Sequence, residues 1–158
     1  MILKLKHGEV EIELYDKIAP NHVKRFKELA AAGKYDGVVF HRVIEGFMAQ
    51  TGDVKFGNSK NSDFNLELAG TGGSDEPDLK AEFSDVAHER GTLSMARSSD
   101  PNSANSQFFI VFESAPHLDR SYTAFGKVVK GMEFVDQIKK GEGSSGSVED
   151  PDKIISIK

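Results

Sequence analysis

Alternating acidic and apolar residues mark the first clear element near the start of the chain. Residues 9–14 read EVEIEL, which puts three aliphatic side chains on one side and three glutamates on the other. This period of two predicts a β-strand with one buried face and one exposed face. A shorter alternating run spans residues 2–6, and His7-Gly8 separates the two runs, so we expect a β-hairpin.

The hydrophobic spacing changes after Pro20, and the new pattern is typical of a helix. Apolar positions now recur at helical spacing, at Val23, Phe26, Leu29 and Ala30. This spacing predicts a helix over residues 21–32 that buries one face. We expect the Asn21 side chain to cap its N-terminus and Gly33 to end it.

Short runs rich in Val, Phe, Ile and Thr dominate the rest of the chain, and Gly, Ser, Asp or Pro separate many of them. These runs cover residues 38–44, 47–52, 92–97, 107–112, 122–129 and 153–158. Together with the hairpin they give eight predicted strands. A second helix is expected over residues 132–139, where Met132, Val135 and Ile138 fall three residues apart.

The order of these elements indicates the fold class. Strands dominate and do not alternate regularly with helices, which argues against a doubly wound parallel sheet. A closed barrel leaves no exposed sheet edge. We therefore predict a mainly β protein, a closed eight-stranded antiparallel β-barrel capped by two α-helices. Residues 54–80 and 141–152 are irregular and are interpreted as surface loops, so residues 1–158 are expected to form a single domain.

Composition and charge narrow the classes of partner. The 158 residues include 20 Lys and Arg against 25 Asp and Glu, a formal net charge of -5, with no basic cluster. This balance disfavours nucleic-acid and anionic-membrane partners, because both need concentrated positive charge. The absence of cysteine excludes disulfides and thiolate chemistry and fits a reducing compartment. The N-terminal apolar run is too short for a signal peptide and contains Lys4, so we expect a cytoplasmic protein.

Three common kinds of catalytic or binding motif find little support. The histidines at positions 7, 22, 41, 88 and 117 show no metal-binding spacing, so no metal ion is expected. Residues 70–74 (GTGGS) lack the lysine of a phosphate-binding loop, and a flexible loop is expected there. A Ser-His-Asp hydrolase stays open on composition alone, although no G-x-S-x-G elbow occurs.

The most informative parts of the chain are two long motifs. Residues 40–53 read FHRVIEGFMAQTGD and place Arg42 inside an otherwise apolar strand. Taken alone, this pattern is typical of a solvent-facing arginine beside ordinary core residues. Downstream, residues 91–97 read GTLSMAR and residues 101–110 read PNSANSQFFI. Together they resemble the signature of the cyclophilin family, FHRVI..FM.Q.GD followed by G.LSMA…PN…SQFFI.

The resemblance extends along essentially the whole chain. A third match follows in Leu118-Asp119 and in residues 125–128 (FGKV). The sequence of the second motif resembles that of the compact bacterial branch of the family. The resemblance implies a peptidyl-prolyl cis/trans isomerase that uses no cofactor. It also implies an eight-stranded antiparallel barrel with two capping helices, in agreement with the pattern of elements. The expected partners are proline-containing peptides and unfolded or folding proteins, and a monomer is expected.

The resemblance also assigns roles to residues of this chain. Arg42 matches the catalytic arginine, which donates to the proline nitrogen as the amide twists, and Gln50 matches a residue that steadies it. The apolar pocket for the proline ring matches Phe47, Met48, Phe109 and Leu118. The rim that pairs with the substrate backbone matches Ala96, Arg97 and Gln107. His41 is expected to support the wall and not to act as a general base, because no proton is transferred.

Three positions depart from the family pattern. His117 stands where many members carry a tryptophan that contributes to cyclosporin binding, so weakened cyclosporin affinity is expected. Arg97 replaces a frequent asparagine, so substrate pairing there is expected to use main-chain groups. Tyr122 replaces a frequent histidine and still offers an apolar body with a polar tip.

Two other functions compete with the isomerase. A proline-peptide binding module or chaperone with little turnover would use the same pocket, and the presence of Arg42 favours catalysis over it. A barrel that carries a small apolar ligand would need a hollow interior. The abundance of phenylalanine, including Phe108, Phe109 and Phe112, instead predicts a filled barrel with its site on the outside.

Overall fold

All eight predicted strands form, and they lie in one antiparallel sheet. The computed structural model describes residues 1–158. The strands are β1 Ile2–Leu5, β2 Gly8–Leu14, β3 Arg42–Ile44, β4 Met48–Thr51, β5 Thr92–Met95, β6 Phe108–Val111, β7 Ala124–Lys130 and β8 Ser156–Ile157. They are hydrogen-bonded in the order β3-β4-β6-β5-β7-β2-β1-β8. The predicted mainly β architecture is confirmed.

One isolated bridge with flanking backbone hydrogen bonds, and not a continuous ladder, joins the two edges of this curled sheet. Val39 pairs with Lys153 in a single antiparallel bridge that precedes both β3 and β8. Beside it, the Phe40 N–H donates to the Asp152 carbonyl over 2.8 Å, and the Ile154 N–H donates to the Val38 carbonyl over 2.8 Å. β3 and β8 are therefore shorter than predicted. Residues 38–40 and 152–154, which precede them, meet at the seam between the two sheet edges through one bridge and single hydrogen bonds, and do not extend the strands.

The helices differ from prediction mainly in their ends. They are α1 Pro20–Ala31 and α2 Met132–Val135, and an unpredicted 3-10 helix spans Pro116–Leu118. α2 ends four residues earlier than the predicted 139, because the next amides make tight three-residue bonds. Gln137 N–H donates to the Phe134 carbonyl and Ile138 N–H to the Val135 carbonyl. No helix here has the length and apolar character needed to cross a bilayer.

The interior of the barrel is packed with side chains. Alternation along β6 sends Phe108 and Ile110 inward, where they join a cluster of 27 buried apolar residues. Phe26 of α1 enters this cluster, with ring centroids 5.2 Å from Phe108 and 5.1 Å from Phe125. A filled interior leaves no room for a carried ligand, so the alternative of a barrel that carries a small apolar ligand does not fit this structure.

The N-terminus of α1 is capped from a distant part of the chain. The predicted Asn21 cap is wrong: the N-cap position is Ala19, which has no side chain able to accept a hydrogen bond. The Glu82 carboxylate instead accepts from the backbone N–H groups of Asn21 at 3.1 Å and His22 at 2.9 Å. At the other end Gly33 has φ +69° and ends the helix as predicted.

Removing this carboxylate should destabilise the fold. We expect Glu82→Ala to lower the free energy of unfolding by about 1–2 kcal/mol, because the first turn of α1 loses its only side-chain acceptor. Urea denaturation would measure the change. Asp85→Ala is the matched control, since Asp85 lies in the same segment, is exposed, and makes only a surface ion pair with Arg120. Equal effects of the two substitutions would contradict the capping role.

Candidate active site

The outward faces of β4 and β6 form an apolar surface that the barrel interior does not use. Met48 and Gln50 point away from the core on β4, as do Phe109 and Val111 on β6, and the register pairs Gln50 with Phe109. A second buried cluster forms here, separate from the core, and consists of Met48, Phe109, Val111, Ala115 and Leu118. Phe47, Ala96 and Tyr122 pack against it. The strand alternation therefore builds a second apolar centre on the outer wall.

This surface opens into a groove of about 1110 Å³. Eleven of the twelve predicted site residues line it: His41, Arg42, Phe47, Met48, Gln50, Ala96, Arg97, Phe109, His117, Leu118 and Tyr122. The twelfth, Gln107, lines an adjoining recess that also includes Gln50, Ala96 and Arg97. The structure thus brings together side chains that lie up to 81 positions apart in the chain, from His41 to Tyr122 (122 − 41).

Ring contacts fix the walls of the apolar part of the groove. The Phe109 and Tyr122 rings meet edge to face, with centroids 5.9 Å apart. Across the groove, the Phe47 and His117 rings lie 5.5 Å apart and are tilted. Leu118 is buried at the end of the 3-10 helix. These four rings and Leu118 leave an apolar recess suited to a small saturated ring.

Arg42 is partly buried at the edge of this recess and is held from two sides. It pairs with Gln50 across β3 and β4, and its Nη1 donates to Gln50 Oε1 over 3.1 Å. Its Nε donates over 3.1 Å to the carbonyl of Ser145, which lies in the loop formed by residues 141–152. Two fixed bonds leave the remaining guanidinium donors free to face the groove.

A line of amide groups connects Arg42 to the long irregular loop. Gln50 Nε2 donates to Gln107 Oε1 over 3.1 Å, and Gln107 Nε2 donates to the carbonyls of Gly70 and Gly72, each over 2.9 Å. Gln107 is therefore fully engaged inside the structure. Its position supports the arginine through Gln50, in addition to the rim role implied by the resemblance.

Asp53 anchors the same loop and was not among the predicted site residues. It is fully buried, with 0% exposure. One carboxylate oxygen accepts from the N–H groups of Lys55 and Phe56, and the other accepts from those of Gly70 and Gly72. The carboxylate thus joins both ends of the segment 55–72. Its place in the first motif was visible in the sequence, but its four partners were not.

His41 lies under this loop and is neutral near pH 7. Burial lowers its pKa to about 4, and its Nδ1 atom is buried without a hydrogen-bond partner. A Cβ on Gly70, which has φ +103°, would come within 2.9 Å of His41 Nε2. The imidazole therefore packs as a wall beneath Gly70, in the place that the prediction gave it.

The Arg97 side chain lines the groove but is engaged by other groups of the protein. Its guanidinium carbon lies 4.4 Å from the centroid of the Tyr122 ring, a cation–π contact. Its Nε and Nη2 both donate to the Ser121 carbonyl, at 3.2 and 2.6 Å. The side chain thus braces Tyr122, and the groups of residue 97 left for a substrate are main-chain groups.

Both irregular stretches contribute walls that the sequence did not indicate. The loop before β5 supplies Leu66, Glu67 and Thr71, and the loop before β8 supplies Ser145 and Asp150. Residues 70–74 line the groove and its adjoining recess because the fold brings them close to the first motif. Their composition gives no sign of this position. No three His, Asp or Glu side chains meet in a group able to hold a metal ion.

Acid should destabilise the protein through three histidines, of which His22 and His88 are buried and His41 is half-buried. Burial lowers the pKa values of His22, His41 and His88 below 6.5, so in this range the unfolded chain binds more protons than the folded one. The stability contributed by the neutral rings is present above pH 6.5 and is lost as the pH falls toward the folded-state pKa values. We expect a lower urea midpoint at about pH 5 than at about pH 7.5. A midpoint that stays constant or rises on acidification would contradict this.

Comparisons with known proteins agree with the fold and identify a family. A family model described as cyclophilin type peptidyl-prolyl cis-trans isomerase/CLD matches residues 1–158. A probable peptidyl-prolyl cis-trans isomerase from Brucella suis is 59% identical over 156 residues, which cover 98% of this chain and 79% of that protein.

Solved structures show the same architecture. A Cryptosporidium parvum cyclophilin type isomerase, crystallised in the presence of the dipeptide Ala-Pro, is 29% identical with a TM-score of 0.81, covering 98% of this chain and 94% of that one. A cyclophilin from Hirschia baltica is 28% identical with a TM-score of 0.80, covering 98% of this chain and 71% of that one. The matching motifs, barrel and family model together make this chain a member of the cyclophilin-type peptidyl-prolyl cis-trans isomerase family.

Proposed function

We propose that the isomerase activity of this chain depends on Arg42 acting beside an apolar proline pocket. The observation that carries the proposal is the position of the guanidinium, held by Gln50 and the Ser145 carbonyl at the edge of the recess around Phe109. A cation fixed next to an apolar binding surface suits a reaction in which one atom of a bound amide gains electron density.

The reaction requires no covalent bond to be made or broken. A planar peptide bond resists rotation by about 18–20 kcal/mol because the nitrogen lone pair is delocalised into the carbonyl. As the X-Pro amide twists, the lone pair returns to the proline nitrogen, which becomes a hydrogen-bond acceptor. Arg42 donates to that nitrogen and stabilises the twisted amide more than either planar isomer, which is the condition for catalysis.

The pocket supplies the second requirement, which is to hold one side of the rotating bond. Phe47, Met48, Phe109 and Leu118 bury the proline ring, while the preceding carbonyl turns in the open part of the groove. The planar, forked guanidinium of Arg42 can donate to Gln50 and to the substrate at the same time. The reaction requires no proton transfer, so His41 serves only as a wall.

The substrates are proline-containing segments of polypeptides, and the activity assists protein folding. X-Pro isomerisation takes tens to hundreds of seconds without catalysis, slow enough to limit folding. The Cryptosporidium parvum relative was crystallised in the presence of Ala-Pro, a compound of this class. The main-chain groups at Ala96 and residue 97 and the open groove suit an extended segment and do not require a particular client.

The test is exchange spectroscopy on a short Ala-Pro peptide with the native protein. We expect cis-to-trans exchange to accelerate from the tens-of-seconds scale to the time scale of line broadening, together with shifts of Phe109 and Leu118 signals on titration. Binding of the peptide without faster exchange would reject the isomerase mechanism in favour of a proline-recognition module.

Cyclosporin should inhibit this protein weakly, and His117 provides the test. The imidazole offers less apolar area than the tryptophan found at this position in many family members. We expect His117→Trp to tighten cyclosporin inhibition at least severalfold, with the inhibition of each protein normalised to its own rate of Ala-Pro exchange. Inhibition curves for the two proteins measure the difference. Nanomolar inhibition of the native protein would contradict the expectation.

A further inference from the structure

The loop of residues 141–152 reaches Arg42 with its tip, residues 143–147. An isolated antiparallel bridge pairs Arg42 with Ser147 of the tip. The carbonyl that accepts from Arg42 Nε belongs to Ser145, two positions earlier in the tip. One of the two bonds that hold the guanidinium therefore comes from this loop, and its geometry depends on how the loop is fixed.

The tip contains little that could hold it in place by itself. Its sequence is GSSGS, and glycine leaves the backbone free to adopt many conformations. A Cβ placed on Gly143 would meet no atom within 4 Å. The tip is bonded to β3, where the Val43 N–H donates to the Gly146 carbonyl over 2.9 Å. The rest of the restraint has to come from the base of the loop.

Asp152 closes that base. Its side chain is largely buried, and Oδ2 accepts from the backbone N–H of Lys139 over 2.8 Å, so one carboxylate joins the two ends of the loop. The same carboxylate is tied to the turn between β1 and β2. Oδ1 pairs with Lys6 Nζ at 2.8 Å, and Oδ2 lies 3.3 Å from His7 Nε2. The base of the loop is thus anchored to the N-terminal hairpin.

The Lys139 side chain braces the returning limb of the loop. Its ammonium donates to the carbonyls of Glu149 and Asp150. Asp150 has φ +49°, in the left-handed region that residues other than glycine seldom occupy. Such a conformation persists only where the surroundings fix it, and the bonds from Lys139 contribute to that. Lys139 therefore contacts both limbs of the loop, one through its backbone and one through its side chain.

We propose that Lys139 and Asp152 are positioning residues for Arg42. This inference rests on the proposed function, in which Arg42 donates to the proline nitrogen. Because a guanidinium is flat, bonds at both Nε and Nη1 set its plane and aim its free donors at the groove. If the Ser145 carbonyl moves away, the bond to Gln50 alone allows the group to turn, and fewer bound complexes are aligned for reaction.

Two neighbouring lysines provide a matched pair of variants. Lys139→Met removes the brace at an exposed position, so the fold should be retained. Lys140→Met removes the same charge one residue later, where the ammonium donates to the carbonyls of Asp136 and Ile138 and not to the loop. We expect Lys139→Met to lower kcat on an Ala-Pro peptide roughly fivefold with little change in the peptide Kd, and Lys140→Met to change neither. Asp152→Asn should lower kcat roughly tenfold.

Two further readouts show whether the effect passes through Arg42. In the Arg42→Ala background, Lys139→Met and Asp152→Asn should not lower the residual rate further, because the group that they position is absent. The NMR signal of Arg42 Hε reports on the bond to the Ser145 carbonyl. Its exchange with water should become at least about fivefold faster in both variants and stay native-like in Lys140→Met.

Three results would overturn the proposal. They are unchanged exchange of Arg42 Hε, losses that persist in full in the Arg42→Ala background, and an equal loss in Lys140→Met. The Hε signal is measured without substrate. A native protein that fails to accelerate Ala-Pro exchange would therefore count against the proposed function, while the Hε signal still decides whether Lys139 and Asp152 position the guanidinium.

Discussion

Replacing Arg42 with alanine is expected to lower kcat/KM for an Ala-Pro peptide by about 10²–10³-fold while the barrel stays folded. The reason is that the twisted amide loses its only cationic donor, whereas the apolar recess that binds the planar isomers is intact. Arg42 is partly buried and pairs through its side chain only with Gln50 and one carbonyl, so its removal leaves no uncompensated charge in the core.

Exchange spectroscopy on native and variant proteins measures the loss, and peptide titration shows whether binding survives. The kcat/KM of Arg42→Lys should fall between those of the native protein and Arg42→Ala. Lysine keeps the charge but cannot donate to Gln50 and the substrate with one planar group. Lys24→Ala, on the exposed side of α1, removes the same charge far from the groove and should leave kcat/KM and peptide binding unchanged. A native-like rate in Arg42→Ala would remove this residue from the mechanism.

Asp53→Asn is expected to have the largest effect on stability, lowering the free energy of unfolding by about 2–3 kcal/mol. Each oxygen of the fully buried carboxylate accepts hydrogen bonds from two backbone N–H groups. An asparagine offers one oxygen, and its NH₂ group then faces two N–H donors. The loop through Gly70 and Gly72 should loosen, and with it the Gln107 and Gln50 amides that support Arg42.

Activity should therefore fall together with stability in this variant, roughly tenfold in kcat/KM. Urea denaturation and peptide exchange provide the two measurements. Asp63→Asn is the matched control, because Asp63 lies in the same loop, is exposed, and accepts no hydrogen bond with its carboxylate. If Asp53→Asn behaved like Asp63→Asn in both measurements, the carboxylate would not be the anchor of this loop.

Local pattern was sufficient to predict the strands and insufficient to predict their ends. The EVEIEL run became β2 over Gly8–Leu14, because a strand with one buried face needs only its own alternation. β8, predicted over residues 153–158, is reduced to Ser156–Ile157. The preceding residues turn to bridge Val38 and Val39 across the seam, which is a property of barrel closure and not of their own composition.

The site shows the same division between local and distant causes. The resemblance grouped Arg42, Gln50 and the recess residues, and they lie on one surface in the structure because alternation decides which face of β4 and β6 each residue occupies. The Glu82 cap of α1 lies 60 positions from His22, and no helix-capping signal near Asn21 reveals it. Asp152 likewise gave no sign of its contacts in the sequence, because its partners on the turn between β1 and β2 become neighbours only in the folded barrel.

The packed interior described above also decides which clients the enzyme can serve. Since the groove lies on the outer wall, a substrate enters no chamber and passes through no opening, so its overall size sets no limit. What matters is whether a short stretch around one proline can protrude far enough to lie along the wall. A proline in an exposed turn of an already folded domain meets that condition as well as one in a nascent chain does. Under the proposed function, the groove therefore suits prolines in finished structures as well as prolines in nascent chains.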